Sequence, residues 1–152
     1  MNLSNIITQL KGIIESVEGI GKVHDYDRWT VDWNTLLNLF TDANKRINGW
    51  VITSPRSDEQ VQAAGAVNIR THLIKIEGVY GLKDSAESEK AFRDLLERIC
   101  DKLRENNSLN GSCLKSSPPR VARVIRRRFS GVLAHVGEIQ LSVAEYIQYT
   151  PV

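Results

Sequence analysis

The chain has 152 residues, a formal charge of +2 and a hydrophobic content of 41%. This composition suits one domain, residues 1–152, with one continuous core, and it excludes disordered, collagen-like and coiled-coil classes. Cys100 and Cys113 form no CxxC pair, so we expect a reduced protein that is assembled in the cytoplasm. No apolar stretch approaches the roughly 20 residues that a bilayer requires, and we expect no membrane partner.

The first predicted element is an amphipathic helix that ends before Gly19, where a residue with positive φ can close a helix. Residues 20–26 then read as a short strand. Gly19 and Gly21 follow a helix instead of joining a strand to a helix, which argues against a phosphate loop. The apolar stripe of the helix consists of Leu3, Ile6, Ile7, Leu10, Ile13, Ile14 and Val17.

A second, short helix is predicted over residues 33–40, with Asp32 as its N-cap. Three aromatic residues near its start favour shielding of a core edge over a binding platform for bases or sugars. They are Tyr26, Trp29 and Trp33. Residues 47–53 then read as a strand that Pro55 ends.

Residues 54–65 lack an apolar period, so we predict a long, exposed loop between two strands. Residues 67–80 form the longest predicted strand, in which a change of parity near Leu73 and Ile74 indicates a bulge or burial on both faces.

A long helix follows, capped by Asp84 or Ser85 and ended before the Asn110-Gly111 turn. Its predicted buried stripe is Phe92, Leu95, Leu96, Ile99 and Leu103. Residues 121–129, whose pattern would also suit a helix, and residues 132–146 are the last predicted strands.

This order predicts an α+β fold. We expect an antiparallel or mixed β-sheet of about four to five strands, with two long amphipathic helices packed on one face.

Motifs for catalysis, cofactors or metals are lacking in the sequence. His24, His72 and His135 share no metal-type spacing, and a structural role is favoured for each. Asp25 and Asp27 could face one side of a strand and serve a hydrolase with His24, but a solvated strand face is the preferred interpretation. We therefore predict a protein that is not an enzyme, with no catalytic residue, cofactor or metal.

One segment is strongly basic. Six cations and no acid lie between residues 115 and 131, whereas the rest of the chain has 14 basic and 18 acidic residues. Because like charges repel, such a run favours a partner-facing surface over a merely solvated edge. The six are Lys115, Arg120, Arg123, Arg126, Arg127 and Arg128.

Several segments, from about Ile6 to Tyr146, resemble the tail terminator, or tail completion, proteins of tailed bacteriophages. They are the first helix, GIGKVHDYDRW, RINGWVIT, THLIKIEGVYGLKDSAESEKAFRDLLERI and RRRFSGVLAHVGEIQLSVAEY. The resemblance implies a virion structural protein of the phage tail or neck. Its subunits would form a hexameric ring at the head-proximal end of the tail tube, where the ring stops tube growth and joins the head-tail connector.

The partners implied are further copies of the chain, the tail tube protein, the connector or neck protein and, in a contractile tail, the sheath protein. DNA would pass through the lumen without specific binding. From exposure and charge we predict two groups of partner-contact residues. These are Arg56, Asp58, Glu59 and Gln62 of the 54–65 segment, and Arg123, Arg126, Arg127 and Arg128 of the basic segment.

The alternative is a small basic nucleic-acid-binding module, in which Trp29 or Trp50 stacks on bases while the arginines contact phosphates. A salt-sensitive affinity for oligonucleotides would distinguish the module from an assembly protein.

Overall fold

A computed structural model describes residues 2–27, 38–42, 46–63, 66–83, 87–129, 132–150 and 152. Two long helices lie in these ranges, α1 (Leu3–Glu15) and α2 (Ser88–Glu105). The strands are β1 (Lys22–His24), β2 (Asn48–Ala63), β3 (Val67–Gly81), β4 (Lys115–Ser116), β5 (Arg120–Phe129) and β6 (Val132–Gln148).

The strands form one six-stranded sheet in the order β1-β2-β3-β6, and both β4 and β5 pair with the outer side of β6. The β1–β2 pair is parallel and the other pairs are antiparallel. β4 lies opposite residues 143–144 of β6 and β5 lies opposite residues 132–140, so residues 115–129 follow one border of the sheet.

The predicted fold class is wrong. Strands make up 50% of the described residues and helices 26%, and the sheet curls into a half-barrel, so the fold is mainly β rather than an α+β layer of two long helices on a four- to five-stranded sheet. The physical reason is strand length. β2, β3 and β6 have 16, 15 and 17 residues, and strands of that length twist and curl.

The largest difference between prediction and structure falls on residues 54–63, which continue β2 instead of forming a loop. Pro55 does not end the strand because it lies at a register shift between Thr53 and Arg56, where a residue without an N–H group is tolerated. The irregularity expected in β3 thus lies in its partner strand, opposite Ile74. The predicted exposure is confirmed, since residues 55–62 are all exposed.

The main core lies on the inner face of the sheet. Trp50 of β2, Ile76 of β3 and Leu141 of β6 are buried there together with Leu10 of α1 and Leu96 of α2. The buried residues predicted for the long helix are confirmed. A smaller apolar cluster lies on the outer face. It includes Phe40, Val51, Val79, Ala134 and Val136.

Several local predictions can be compared with the structure. Gly19 has the expected positive φ of 85°, but α1 ends at Glu15 with Ser16 as its C-cap, so Gly19 lies in the turn after the helix and does not close it. Of the predicted short helix, residues 38–40 are helical. Asp32, Trp29, Trp33 and the predicted caps Asp84 and Ser85 lie outside the described residues.

Candidate assembly surfaces

The outer end of the β2–β3 hairpin extends beyond β1. We call residues 54–63 of β2 and 67–72 of β3 the arm. β1 pairs with β2 only at residues 49–51, and within the described part of the chain the arm's β2 residues pair on one side only, with β3. An unpaired strand edge carries free N–H and C=O groups, so it is a ready template for another strand.

The first predicted group of contact residues lies on this arm, in a strand and not in a loop. Arg56 Nε lies 3.1 Å from Asp58 Oδ2, and the side chains are 73% and 62% exposed. Asn68 Nδ2 donates a 2.7 Å hydrogen bond to Glu59 Oε2, and Gln62 is exposed. Exposed ion pairs contribute about 0–1 kcal/mol, so these groups are free to exchange partners at little cost.

The second predicted group lies on β5, at the other side of the sheet, with β3 and β6 between it and β2. One Arg123 guanidinium nitrogen lies 4.0 Å from Glu138 Oε1. Arg126, Arg127 and Arg128 are exposed and form no ion pair among the described residues. The structure therefore separates the two predicted groups on two unlike borders of one sheet.

A buried polar cluster lies where the arm meets the main core. Glu145 of β6 is fully buried, and its Oε1 accepts a 2.6 Å hydrogen bond from Arg70 on the neighbouring β3. His72 Nε2 lies 3.6 Å from the same oxygen, and its Nδ1 lies 2.5 Å from Ser57 Oγ across the β2–β3 pair. Burial lowers the pKa of His72 below 6.5, more than the Glu145 carboxylate raises it. A neutral His72 can accept from the Ser57 hydroxyl and present Nε2–H to Glu145.

Sequence reasoning did not single out this cluster, although a sign of it was present. Ile139, Leu141 and Val143 alternate with polar residues and are predicted to be buried. Glu145 continues the same alternation, so it lies on the same face. A carboxylate at a core position requires a buried partner, and that requirement could have pointed to a cation on an adjacent strand.

The outer face carries a pair of like charges. Glu77 of β3 lies directly opposite Glu138 of β6, and burial together with the Glu138 charge raises the pKa of Glu77 above 4.5. Lys75 Nζ lies 3.7 Å from Glu138 Oε1, and Gln140 Nε2 donates to Oε2 at 2.6 Å. Glu138 is therefore held by several groups and only weakly engages Arg123.

A cleft of about 490 Å³ separates the start of α2 from β5. Inside it, Ser88 Oγ accepts from Lys83 N and lies within hydrogen-bonding distance, 2.9 Å, of His135 Nε2. Burial lowers the pKa of His135 below 6.5, with opposing effects from Glu89 and Arg126. The bond ties the start of α2 to β6.

The remaining candidates have structural surroundings. His24 Nε2 lies 2.7 Å from the Leu39 carbonyl oxygen, and Asp25 and Asp27 follow β1 instead of sharing a strand. Burial raises the pKa of both Cys100 and Cys113. Within the described ranges, no group of three or more histidine, cysteine or acidic residues could hold a metal, and no helix is long and apolar enough to cross a bilayer.

Comparison with known proteins yields no family model that matches this chain, and none of the curated proteins matches it. The resemblance to phage tail terminators stays a prediction that depends on the segments quoted above.

Proposed function

We propose that this chain is a structural subunit of a bacteriophage tail terminator, active as a ring at the head-proximal end of the tail tube and without catalytic turnover. The observation that carries the proposal is the pair of unlike strand borders, the arm on one side of the sheet and β5 on the other. The hexameric number and the position on the tube come from the resemblance.

Two unlike borders suit a ring for a physical reason. In a ring, each subunit uses one patch to contact the unlike patch of its neighbour, and the contact closes only when the rotation per subunit fits. The exposed arm can reach a neighbouring subunit or the tube without disturbing the core, because its contact residues lie outside the core clusters.

Deletion of the gene from the phage that encodes it tests the proposal. We expect tails of uncontrolled length in electron micrographs, because the tube then lacks the ring that stops its growth. Supplying the protein from a plasmid should restore one length. Normal tails without the protein would contradict the proposal.

Charge reversal in the arm tests the predicted contact residues. In the same complementation, Asp58→Lys with Glu59→Lys should fail to restore tail length, because both carboxylates are exposed on the border of β2 that pairs with no strand among the described residues. The control, Asp94→Lys with Glu97→Lys, makes the same charge change on the exposed side of α2 and should restore it. Equal behaviour of the two variants would remove the arm from the assembly surface.

A further inference from the structure

We propose that one border of the sheet binds the phosphate backbone of double-stranded DNA without reading its sequence. This cationic border consists of Lys115 of β4 with Arg120, Arg123, Arg126, Arg127 and Arg128 of β5. The inference rests on the proposed function, in which DNA passes a ring that lies between head and tail. In that ring the backbone edge of β5 would meet the arm of the neighbouring subunit, while the arginine side chains point to the two faces of the sheet and stay open to phosphate. The binding itself is a property of the single chain.

The first support is the linear arrangement of the charges. β4 and β5 pair with the same side of β6, and the register runs from Lys115 opposite Ala144 to Arg128 opposite Leu133. Eleven residues of strand correspond to about 36 Å. One strand of duplex DNA places a phosphate about every 3.4 Å along the helix axis, so the border can follow about ten base pairs.

The second support is that the cations at one end of the border form no ion pair with any described residue. Arg126, Arg127 and Arg128 have no ion pair within the described ranges, and all three are exposed. Consecutive strand residues point to opposite faces, so these arginines flank the border from both sides. Three adjacent cations repel one another, and a polyanion relieves that repulsion.

The chemistry of the border favours phosphate over an acidic protein surface. Five of the ten residues of β5 are arginine, and the planar guanidinium matches phosphate with two parallel hydrogen bonds. Protein–DNA interfaces are much more positively charged than protein–protein interfaces. A dense run of arginines along a strand border fits the former.

Fluorescence anisotropy with a labelled 20-base-pair duplex tests the proposal on the purified chain. Contact with five phosphates predicts that log K falls with log salt with a slope of about −4.5. Arg126→Ala with Arg127→Ala should flatten the slope by about 1.8 and weaken binding about 60-fold at 0.1 M salt, if the 1 M affinity is unchanged. Duplexes of different sequence should bind alike.

Matched variants and a competitor complete the design. Arg126→Lys with Arg127→Lys should keep the slope, and so should Lys11→Ala with Lys102→Ala, which removes the same charge from the two helices. An unchanged slope in the Arg126→Ala, Arg127→Ala variant, or competition by polyglutamate as strong as by unlabelled duplex, would overturn the proposal; the second result would indicate an acidic protein partner. Mass measurement in parallel reports on ring formation, so failure of DNA binding is distinguished from failure of assembly.

Discussion

At the scale of single residues, Gly78 leaves room for an aromatic side chain of the neighbouring strand to lie over it. Gly78 of β3 lies directly opposite Trp50 of β2, and a Cβ at Gly78 would overlap the indole ring. Trp50 is fully buried, and its Nε1 donates a 2.9 Å hydrogen bond to Asn48 Oδ1, so the ring cannot shift without losing that bond. The glycine is thus required by close packing in the inner core.

We therefore expect Gly78→Ala to lower the free energy of unfolding by about 1–3 kcal/mol, the usual cost of overpacking a core. Gly12→Ala is the control, because Gly12 lies exposed in α1 with no atom near its would-be Cβ. It should raise stability by about 0.5–1 kcal/mol, since alanine loses less entropy than glycine in a helix. Urea denaturation measures both changes, and a neutral Gly78→Ala would show that the indole ring can move.

Predictions of burial for single residues succeed where apolar and polar residues alternate along a short segment. Ile139, Leu141 and Val143 are predicted and found to be buried because they alternate with polar residues within one strand. The contact of Gly78 with Trp50 joins residues 28 positions apart, and its cause lies in the strand register. A single sequence contains no local pattern from which that register follows.

At the scale of elements, the Arg70–Glu145 pair links the arm to β6, in addition to the backbone pairing of β3 with β6 along the arm. Glu145 is fully buried, whereas the Arg70 side chain is 32% exposed. Removing one partner of a buried pair leaves an uncompensated charge, which is more costly than replacing both partners with apolar side chains.

We expect Arg70→Ala to destabilise the protein by about 3 kcal/mol, and Arg70→Met with Glu145→Leu to recover most of that loss. Amide hydrogen exchange should show the arm opening more often in the single variant. Arg56→Ala, which breaks an exposed ion pair on the same arm, should cost about 1 kcal/mol or less. Similar losses in Arg70→Ala and the double variant would mean that the pair is not what holds the arm.

The extent of β2 shows why an element can be predicted in type but not in length. Residues 47–53 are rich in strand formers, and the strand is found there. Beyond Thr53 the residues are polar because both faces of β2 meet solvent over residues 55–62, so the alternation that indicates a strand is lost. Pairing with β3 extends the strand there.

At the scale of the whole molecule, the predicted contact residues of the arm and of β5 are found on different borders of a curled sheet. Their charge and exposure could be predicted from the sequence, because both depend on composition along a short segment. Their separation could not, since it depends on β6 lying between β3 and β5. The borders become unlike surfaces only in the assembled sheet, and that difference is what a head-to-tail contact requires.

The stability of the whole fold should depend on pH through its buried histidines. His72, which faces Glu145 and Arg70, and His135, which faces Glu89 and Arg126, both have a pKa below 6.5. Between the folded and unfolded pKa values the unfolded chain binds more protons, so the free energy of unfolding decreases as the pH falls below about 6.5. The raised pKa of Glu77 has the opposite sign, since its folded form takes up a proton at a pH above 4.5 and stability increases there on acidification.

Comparison of variants isolates the contribution of the buried histidines to the pH dependence. Urea denaturation between pH 7.5 and about 5 should show a smaller loss of stability in His72→Gln and in His135→Gln than in the wild type, because glutamine does not titrate. Gln62→Ala is the control, since it removes an exposed side chain that does not titrate and should leave the profile unchanged. If the His72 and His135 variants lose stability on acidification as steeply as the wild type, the acid sensitivity of the fold has another origin than its buried imidazoles.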